Sequence, residues 1–271
     1  EKERAALAPE QVISFGQQVV SKRLKLFVQS LEDLPVQDVQ DGLVLETLLK
    51  DLQSFQEPDR SYQALWKKLE LRESARAREY LSQASFSKLT AVARILEAVP
   101  AQTVIHLGNS ATIRLSQLLP ARSDLSYYSN RGVSGIDGSL SSAVGAARVS
   151  EQQHLLILGD LSFVYDSNAL WNKDYPQNLK VIVLNDGGGG IFRLLDGPDR
   201  MEFFEEFSVT HHPVSLELLS GAFGRRFSRA ANMDELDRNL QALFIPGKGP
   251  SVLEVDTGAS ENSRIFKELF L

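Results

Sequence analysis

The chain has no cysteine. That absence removes disulfides, zinc ribbons, iron–sulfur ligation and thiol nucleophiles from consideration, and it suits a reducing compartment, so a cytoplasmic setting is expected. An excess of positive charge is also missing: 29 Lys and Arg stand against 35 Asp and Glu, a net of −6. An acidic balance argues against a broad nucleic-acid-binding face, and no nucleic-acid partner is expected. No apolar run approaches the roughly 20 residues that a membrane-spanning helix needs, so no membrane span is expected. The sequence opens Glu1-Lys2-Glu3-Arg4, without an initiator Met or a signal-peptide core, which points to the later part of a longer protein. What is present is globular in texture. Hydrophobic residues make up 43% and charged residues 24% of 271 positions, enough for one large or two medium domains.

The first hundred residues differ from the rest. Val12-Ile13-Ser14-Phe15 reads as a short buried strand that ends at Gly16, Lys22–Gln29 as the start of a helix, and Leu43–Leu52 as a second helical segment. Ser61–Val99 is mostly helical and charge-laced, with a break expected near Ser82–Ser85. From Ala101 the texture becomes alternating. Continuous apolar runs at Thr103–Leu107, Leu155–Leu158, Val181–Leu184 and Ser251–Val255 are the pattern of parallel strands buried on both faces. Helical segments are expected between and around them at Ala111–Leu119, Gly138–Val149, Val164–Trp171, Ser215–Phe223 and Met233–Leu243. The alternation predicts an α/β fold, a doubly wound and mostly parallel sheet.

Each run stops in small polar residues: Gly108-Asn109-Ser110, Gly159-Asp160, Asn185-Asp186-Gly187 and Asp256-Thr257-Gly258. In open α/β sheets that carboxyl edge is where ligands bind. Asp160 and the Asn185–Gly188 turn have the makings of a clamp for magnesium and a diphosphate. Mg²⁺ seeks six oxygens in near-octahedral geometry and usually shares them with phosphates. One carboxylate, one amide or second carboxylate, and one backbone carbonyl would supply three of the six. Gly187–Gly190 is a plain glycine run without the Lys and Ser/Thr of a Walker motif, which weighs against a nucleotide-binding module. The histidines look structural: His106 reads as a core residue, His154 carries no visible role, and His211-His212 reads as a surface loop.

Gly159-Asp160 followed, one helix and one strand later, by Asn185-Asp186-Gly187 resembles the diphosphate-and-metal signature of thiamine-diphosphate enzymes. Leu161 departs from the second glycine usual in that superfamily. Gly108-Asn109-Ser110 with Arg114, the block from Ser129-Asn130-Arg131-Gly132 through Ser134-Gly135-Ile136-Asp137-Gly138, and Gly190-Ile191-Phe192 narrow the resemblance to the SEPHCHC synthases of menaquinone biosynthesis. The resemblance covers roughly residues 10–258.

It implies that residues 1–80 are the end of an α/β middle domain with a helical connector, and that 81–271 are the diphosphate domain of the thiamine-diphosphate fold. It implies a transferase that decarboxylates 2-oxoglutarate and adds the succinyl carbanion to isochorismate, with thiamine diphosphate and Mg²⁺ or Mn²⁺ as cofactors. The whole protein would be a homo-oligomer, a dimer or a dimer of dimers. This chain alone would not turn over, because the pyrimidine-binding domain and its glutamate lie elsewhere.

For the residues, it implies a metal site of Asp160, Asn185 and the Gly187 carbonyl, or in a shifted register Asp186 and the Gly188 carbonyl in place of the last two. An amide avoids crowding negative charge beside a diphosphate, which favours Asn185. Gly159, Asp160, Leu161, Ser162 and Asn185 would hold the cofactor, with Ile136 as the aliphatic prop beneath it. Lys22, Ser110, Arg114, Arg131, Ile191 and Phe192 would contact substrate, the arginines gripping carboxylates in the two-pronged way that lysine cannot. Other thiamine enzymes, of the acetolactate synthase or 2-oxoacid decarboxylase type, are the rival expectation.

Overall fold

The computed structural model describes residues 2–15, 19–39, 46, 49–50, 60–194, 201–245, 247 and 249–270. Gly16 and most of the helix expected over Leu43–Leu52 lie outside the described residues. The chain divides into two compact units, Glu1–Glu79 and Tyr80–Leu271.

In the first unit, strands β1 (Val12–Phe15) and β2 (Val36–Val39) pair in parallel, with Val12 opposite Val36 and Phe15 opposite Val39. Two short helices, α1 (Lys2–Ala6) and α2 (Lys22–Gln29), accompany them. Ser21 caps α2 by accepting from the Leu24 amide at 3.2 Å. Most of the 23-residue helix α3 (Ser61–Gln83) belongs here, and none of its described residues is buried.

The second unit carries the sheet. Helix α4 (Lys88–Ala98) opens with a capping box between Ser87 and Thr90, which accounts for the break after α3. Six parallel strands follow: β3 (Val104–Leu107), β4 (Ser126–Tyr128), β5 (His154–Gly159), β6 (Leu179–Asn185), β7 (Phe227–Ala230) and β8 (Val252–Asp256). They lie in the order β4-β3-β5-β6-β8-β7. Leu155–Leu158 and Val181–Val183 have no exposed surface, as strands covered on both faces require. The crossovers carry α5 (Ala111–Ser116), α6 (Ser139–Arg148), α7 (Asp160–Tyr165), α8 (Leu216–Ala222) and α9 (Met233–Leu243), with α10 (Ser260–Glu268) after the last strand. No helix among the described residues is long and apolar enough to cross a membrane.

Two differences from expectation have physical causes. The helix expected over Val164–Trp171 is instead α7, which starts directly at Asp160, followed by a tighter 3₁₀ turn at Ser167–Trp171. The Asp166 carboxylate causes the break: it leaves the helix to accept from the Ser141 amide at 2.8 Å and from the Ser141 hydroxyl. β4 and β7 are edge strands, half-exposed and short of the continuous apolar run that marked their neighbours.

Candidate functional site

The chain runs outward from β3 to the edge strand β4, then returns to place β5 on the other side of β3. That reversal opens a crevice at the carboxyl ends of β3 and β5, the topological switch point. Gly108 lets the two strands close there. A Cβ at this position would lie 2.8 Å from the Cβ of Leu158, while its own amide donates to the Ile157 carbonyl at 2.8 Å.

The crevice encloses about 430 Å³ open to solvent and is lined by Asn109 to Thr112, Ile136, Gly159 to Ser162, Gly188 to Ile191, Leu184 and Lys88. Of the residues expected at the site, it gathers Ser110, Ile136, Gly159, Asp160, Leu161, Ser162, Gly188 and Ile191. Asn185, Gly187, Asp186 and Phe192 do not line it; Asp186 lines a smaller hollow beside it, again with Lys88 and Gly190. Phe192 is 38% exposed. Lys22 is the first residue of α2, in the other unit.

On the β5–β6 side the donors are oxygens. Asp160 is 2% exposed; its Oδ1 accepts from the Leu161 amide and its Oδ2 from the Gly188 amide, each at 2.8 Å. The second bond ties the end of β5 to the turn after β6. Asn185 is engaged at both ends of its amide: Oδ1 accepts from the Gly187 amide at 2.9 Å and Nδ2 donates to Glu254 at 2.6 Å. Asp186 is buried with its Oδ1 2.5 Å from the Lys88 ammonium. Burial pushes the Asp186 carboxyl above its ordinary range, with Lys88 opposing and the Asp160 charge reinforcing the rise. Ser162 donates its hydroxyl to the Ile136 carbonyl, which fastens the Arg131–Asp137 loop to α7.

On the β3 side the groups are cationic. Asn109 donates to the carbonyls of Asn130 and Gly135, both at 2.7 Å, and accepts from Arg131 Nη1 at 2.7 Å. Ser110 sits at φ 70°, a region that non-glycine residues seldom occupy, and its carbonyl receives Arg114 Nη1 at 2.7 Å. Burial lowers the Arg114 pKa, and the nearby Arg131 charge lowers it further. Neither guanidinium has a carboxylate partner among the described residues, and Arg131 Nε is buried without an acceptor. Two like charges held together in this way make a place for an anion.

Sequence patterning missed several of these residues. Lys88 lies in the stretch that reads as mostly helical and charge-laced. His212, expected at the surface, is 11% exposed with Nε2 3.3 Å from Asp160 Oδ2. His211 instead is exposed and reaches the Gly187 carbonyl through Nδ1 at 3.1 Å. His106 and His154 stack and share a 2.9 Å hydrogen bond across β3 and β5. Their only local signal is position within apolar strands. Among the described residues no cluster of three or more His, Asp or Glu side chains could hold a metal by itself. A cation at this edge would draw on carbonyl and ligand oxygens, the donor chemistry that suits Mg²⁺ or Mn²⁺.

Comparison with known proteins bears on the same residues. The family model for the thiamine pyrophosphate enzyme C-terminal TPP-binding domain matches residues 108–255. The chain is 34% identical to 2-succinyl-5-enolpyruvyl-6-hydroxy-3-cyclohexene-1-carboxylate synthase of Flavobacterium johnsoniae, over 97% of this chain and 50% of that one. It is 39% identical to the synthase of the same name from Desulfotalea psychrophila, over 94% of this chain and 48% of that one. The chain thus spans about half the length of these curated relatives. The match begins at Gly108 and ends at Val255, so it takes in both rims of the crevice, and on that evidence the chain belongs to the thiamine pyrophosphate enzymes and carries their C-terminal TPP-binding domain.

Proposed function

We propose that the crevice between β3 and β5 holds the diphosphate of thiamine diphosphate through Mg²⁺ or Mn²⁺, as part of an enzyme that joins a decarboxylated 2-oxoglutarate unit to isochorismate. The observation that carries this reading is the 2.8 Å bond from the Gly188 amide to Asp160, which brings the two strand ends of the clamp together over a cleft. Thiamine diphosphate, when bound, supplies an electron sink for the carbon that loses carbon dioxide.

Asp160 would be one metal ligand. For the others, the surroundings favour Asp186 and the Gly188 carbonyl over Asn185 and the Gly187 carbonyl. Gly188 lines the cleft and Gly187 does not, Asp186 stands in the adjoining hollow with Lys88 and Gly190, which line both, and the Asn185 amide is already spent on Gly187 and Glu254. The electrostatic objection to a second carboxylate is met by Lys88, which stands against Asp186. Gly159, Leu161 and Ser162 would face the diphosphate. Ile136, held by Ser162, would support the cofactor from below, and Ile191 would close the apolar wall with Phe192 at its rim. Arg114 and Arg131, with Ser110 beside them, would take the substrate carboxylates. The synthase name that the relatives share supports the reaction; the reading carries with it a homo-oligomeric, cytoplasmic enzyme of menaquinone biosynthesis.

Calorimetric titration of the chain with thiamine diphosphate and Mg²⁺ tests the site. Binding should require the metal and should vanish in Asp160→Ala. Unchanged binding by that variant, or a preference for ATP with Mg²⁺, would refute the assignment. For the full-length enzyme, 2-oxoglutarate should be consumed in preference to pyruvate, the substrate of the rival thiamine enzymes.

A further inference from the structure

Lys88 is the first residue of α4, and its side chain is 7% exposed. Both facts make its charge costly. An ammonium withdrawn from water loses hydration, and the first turn of a helix already carries partial positive charge. What holds it there is Asp186, whose side chain is 4% exposed, with Oδ1 at 2.5 Å from the Lys88 ammonium. Gly190 leaves room for that carboxylate: a Cβ at 190 would lie 1.9 Å from Asp186 Oδ2. The α4 start is otherwise satisfied, since the Lys88 amide donates to Asn262 at 2.7 Å and Ser87 caps the turn. The lysine is therefore placed for its charge and not for want of a capping group.

Two buried carboxylates, Asp160 and Asp186, converge on the turn where an anionic diphosphate would arrive. Without a compensating cation they would repel both each other and the ligand. Lys88 reaches the main cleft as well as the hollow that holds Asp186. We propose that Lys88 is a positioning residue for the cofactor site: it fixes the Asp186 carboxylate and cancels one negative charge, so that an aspartate can stand where an amide would otherwise be needed. The inference rests on the crevice being a cation–diphosphate site.

The test compares Lys88→Gln, Lys88→Arg, Asp186→Asn and the double variant Lys88→Gln/Asp186→Asn in the full-length protein. Thermal unfolding is followed without ligand, and Mg²⁺-dependent thiamine-diphosphate binding is followed by calorimetry well below the unfolding temperature. Each charge-removing single variant leaves a buried unpaired charge. It should unfold earlier and bind at least about tenfold more weakly, as loss of a group that orients a metal ligand does. The double variant, with an amide facing an amide, should recover most of both losses, and Lys88→Arg should keep binding within about threefold of the parent. A structural pair without a role at the site would lower the unfolding temperature in the single variants while leaving the folded protein's affinity unchanged, and that result overturns the proposal. So does a double variant no better than the singles. If Lys88→Gln fails to fold, Asp186→Asn and the double variant still decide. A parent chain that binds no thiamine diphosphate refutes the site reading itself and this inference with it, whereas a parent that binds and a Lys88→Gln that binds equally well refutes the inference alone.

Discussion

The two rims of the crevice are built by opposite means. The β5–β6 rim is anionic and deeply buried: Asp160 and Asp186 are 2% and 9% exposed, fixed by backbone amides and one lysine. The β3 rim is cationic and half-open: Arg114 and Arg131 are positioned by carbonyls and by the Asn109 amide, with no carboxylate among the described residues to neutralise them. A rim that is to take a divalent cation must already hold negative charge, and that charge must be balanced locally if the fold is to survive without ligand. A rim that is to take carboxylates must keep its positive charge uncompensated, and exposure makes that tolerable. The opposition predicts different responses to mutation: damage to the anionic rim should appear in stability and cofactor binding together, damage to the cationic rim in local order first.

The largest effect is expected from Gly190→Ala. The added carbon would lie 1.9 Å from Asp186 Oδ2, so the carboxylate that is ion-paired with Lys88 through Oδ1 must shift. Overpacking and a disturbed buried ion pair act together, and urea unfolding should show a loss of about 3 kcal/mol with thiamine-diphosphate binding abolished. An alanine variant that unfolds at the parent's urea concentration would show the turn to be more pliant than the anionic rim requires.

On the other rim, Asn109→Ala removes two donors and one acceptor that organise the 130–135 loop. The expected cost is about 2 kcal/mol, below a simple sum because the freed carbonyls of Asn130 and Gly135 regain water. Cofactor affinity should stay within about tenfold of the parent if the rims are energetically separate. A complete loss of binding would mean that the loop, through Ile136, belongs to the cofactor site as much as Asp160 does.

Much of this division was legible in the sequence. The continuous apolar runs of β3, β5, β6 and β8 marked the buried strands, because full burial on both faces leaves no polar alternation to misread. The small polar residues after them marked the ligand edge. Edge strands β4 and β7 gave no such run, and β2 pairs with β1 through Val-Gln-Asp-Val, which has no continuous apolar run either. Lys88, Glu254 and His212 were invisible for another reason. Their roles come from residues 98, 69 and 52 positions away, and local patterning scores a lone lysine or histidine by its neighbours in the chain. The choice between Asn185 and Asp186 turns on the same kind of distant partner, a lysine 98 positions away in a different helix.

The histidine pair that joins β3 to β5 gives the second unit a pH handle. His106 is on β3 and His154 on β5; burial first, then the neighbouring His154, lowers the His106 pKa to about 4. The unfolded chain takes up that proton near pH 6.5, so the folded form is at a disadvantage only below that value. The pair's stability is complete above pH 6.5 and drains away as pH falls toward 4. With allowance for solvent screening of a partly exposed ring, the loss is on the order of 2 kcal/mol. His106→Gln keeps a hydrogen-bonding partner for His154 and should flatten the difference between pH 6.5 and pH 4 in thermal unfolding. An identical slope in parent and variant would remove His106 as its origin.

The smallest effect should come from a side-chain bond that ties α7 to the loop carrying Ile136. Ser162 stands on α7 beside Asp160 and donates its hydroxyl to the carbonyl of Ile136, on the loop that also carries Arg131. Ser162→Ala leaves that carbonyl to find water and removes little volume, so stability should fall by only about 1 kcal/mol. Its consequence for binding should be larger in proportion, because an untethered Ile136 must be ordered again when a cofactor arrives; a weakening of about threefold is expected by calorimetry. Ser162→Thr, which keeps the hydroxyl, should stay nearer the parent in affinity. If alanine and threonine variants bind alike, the hydroxyl does not couple the rims, and the two sides of the crevice respond to ligands independently.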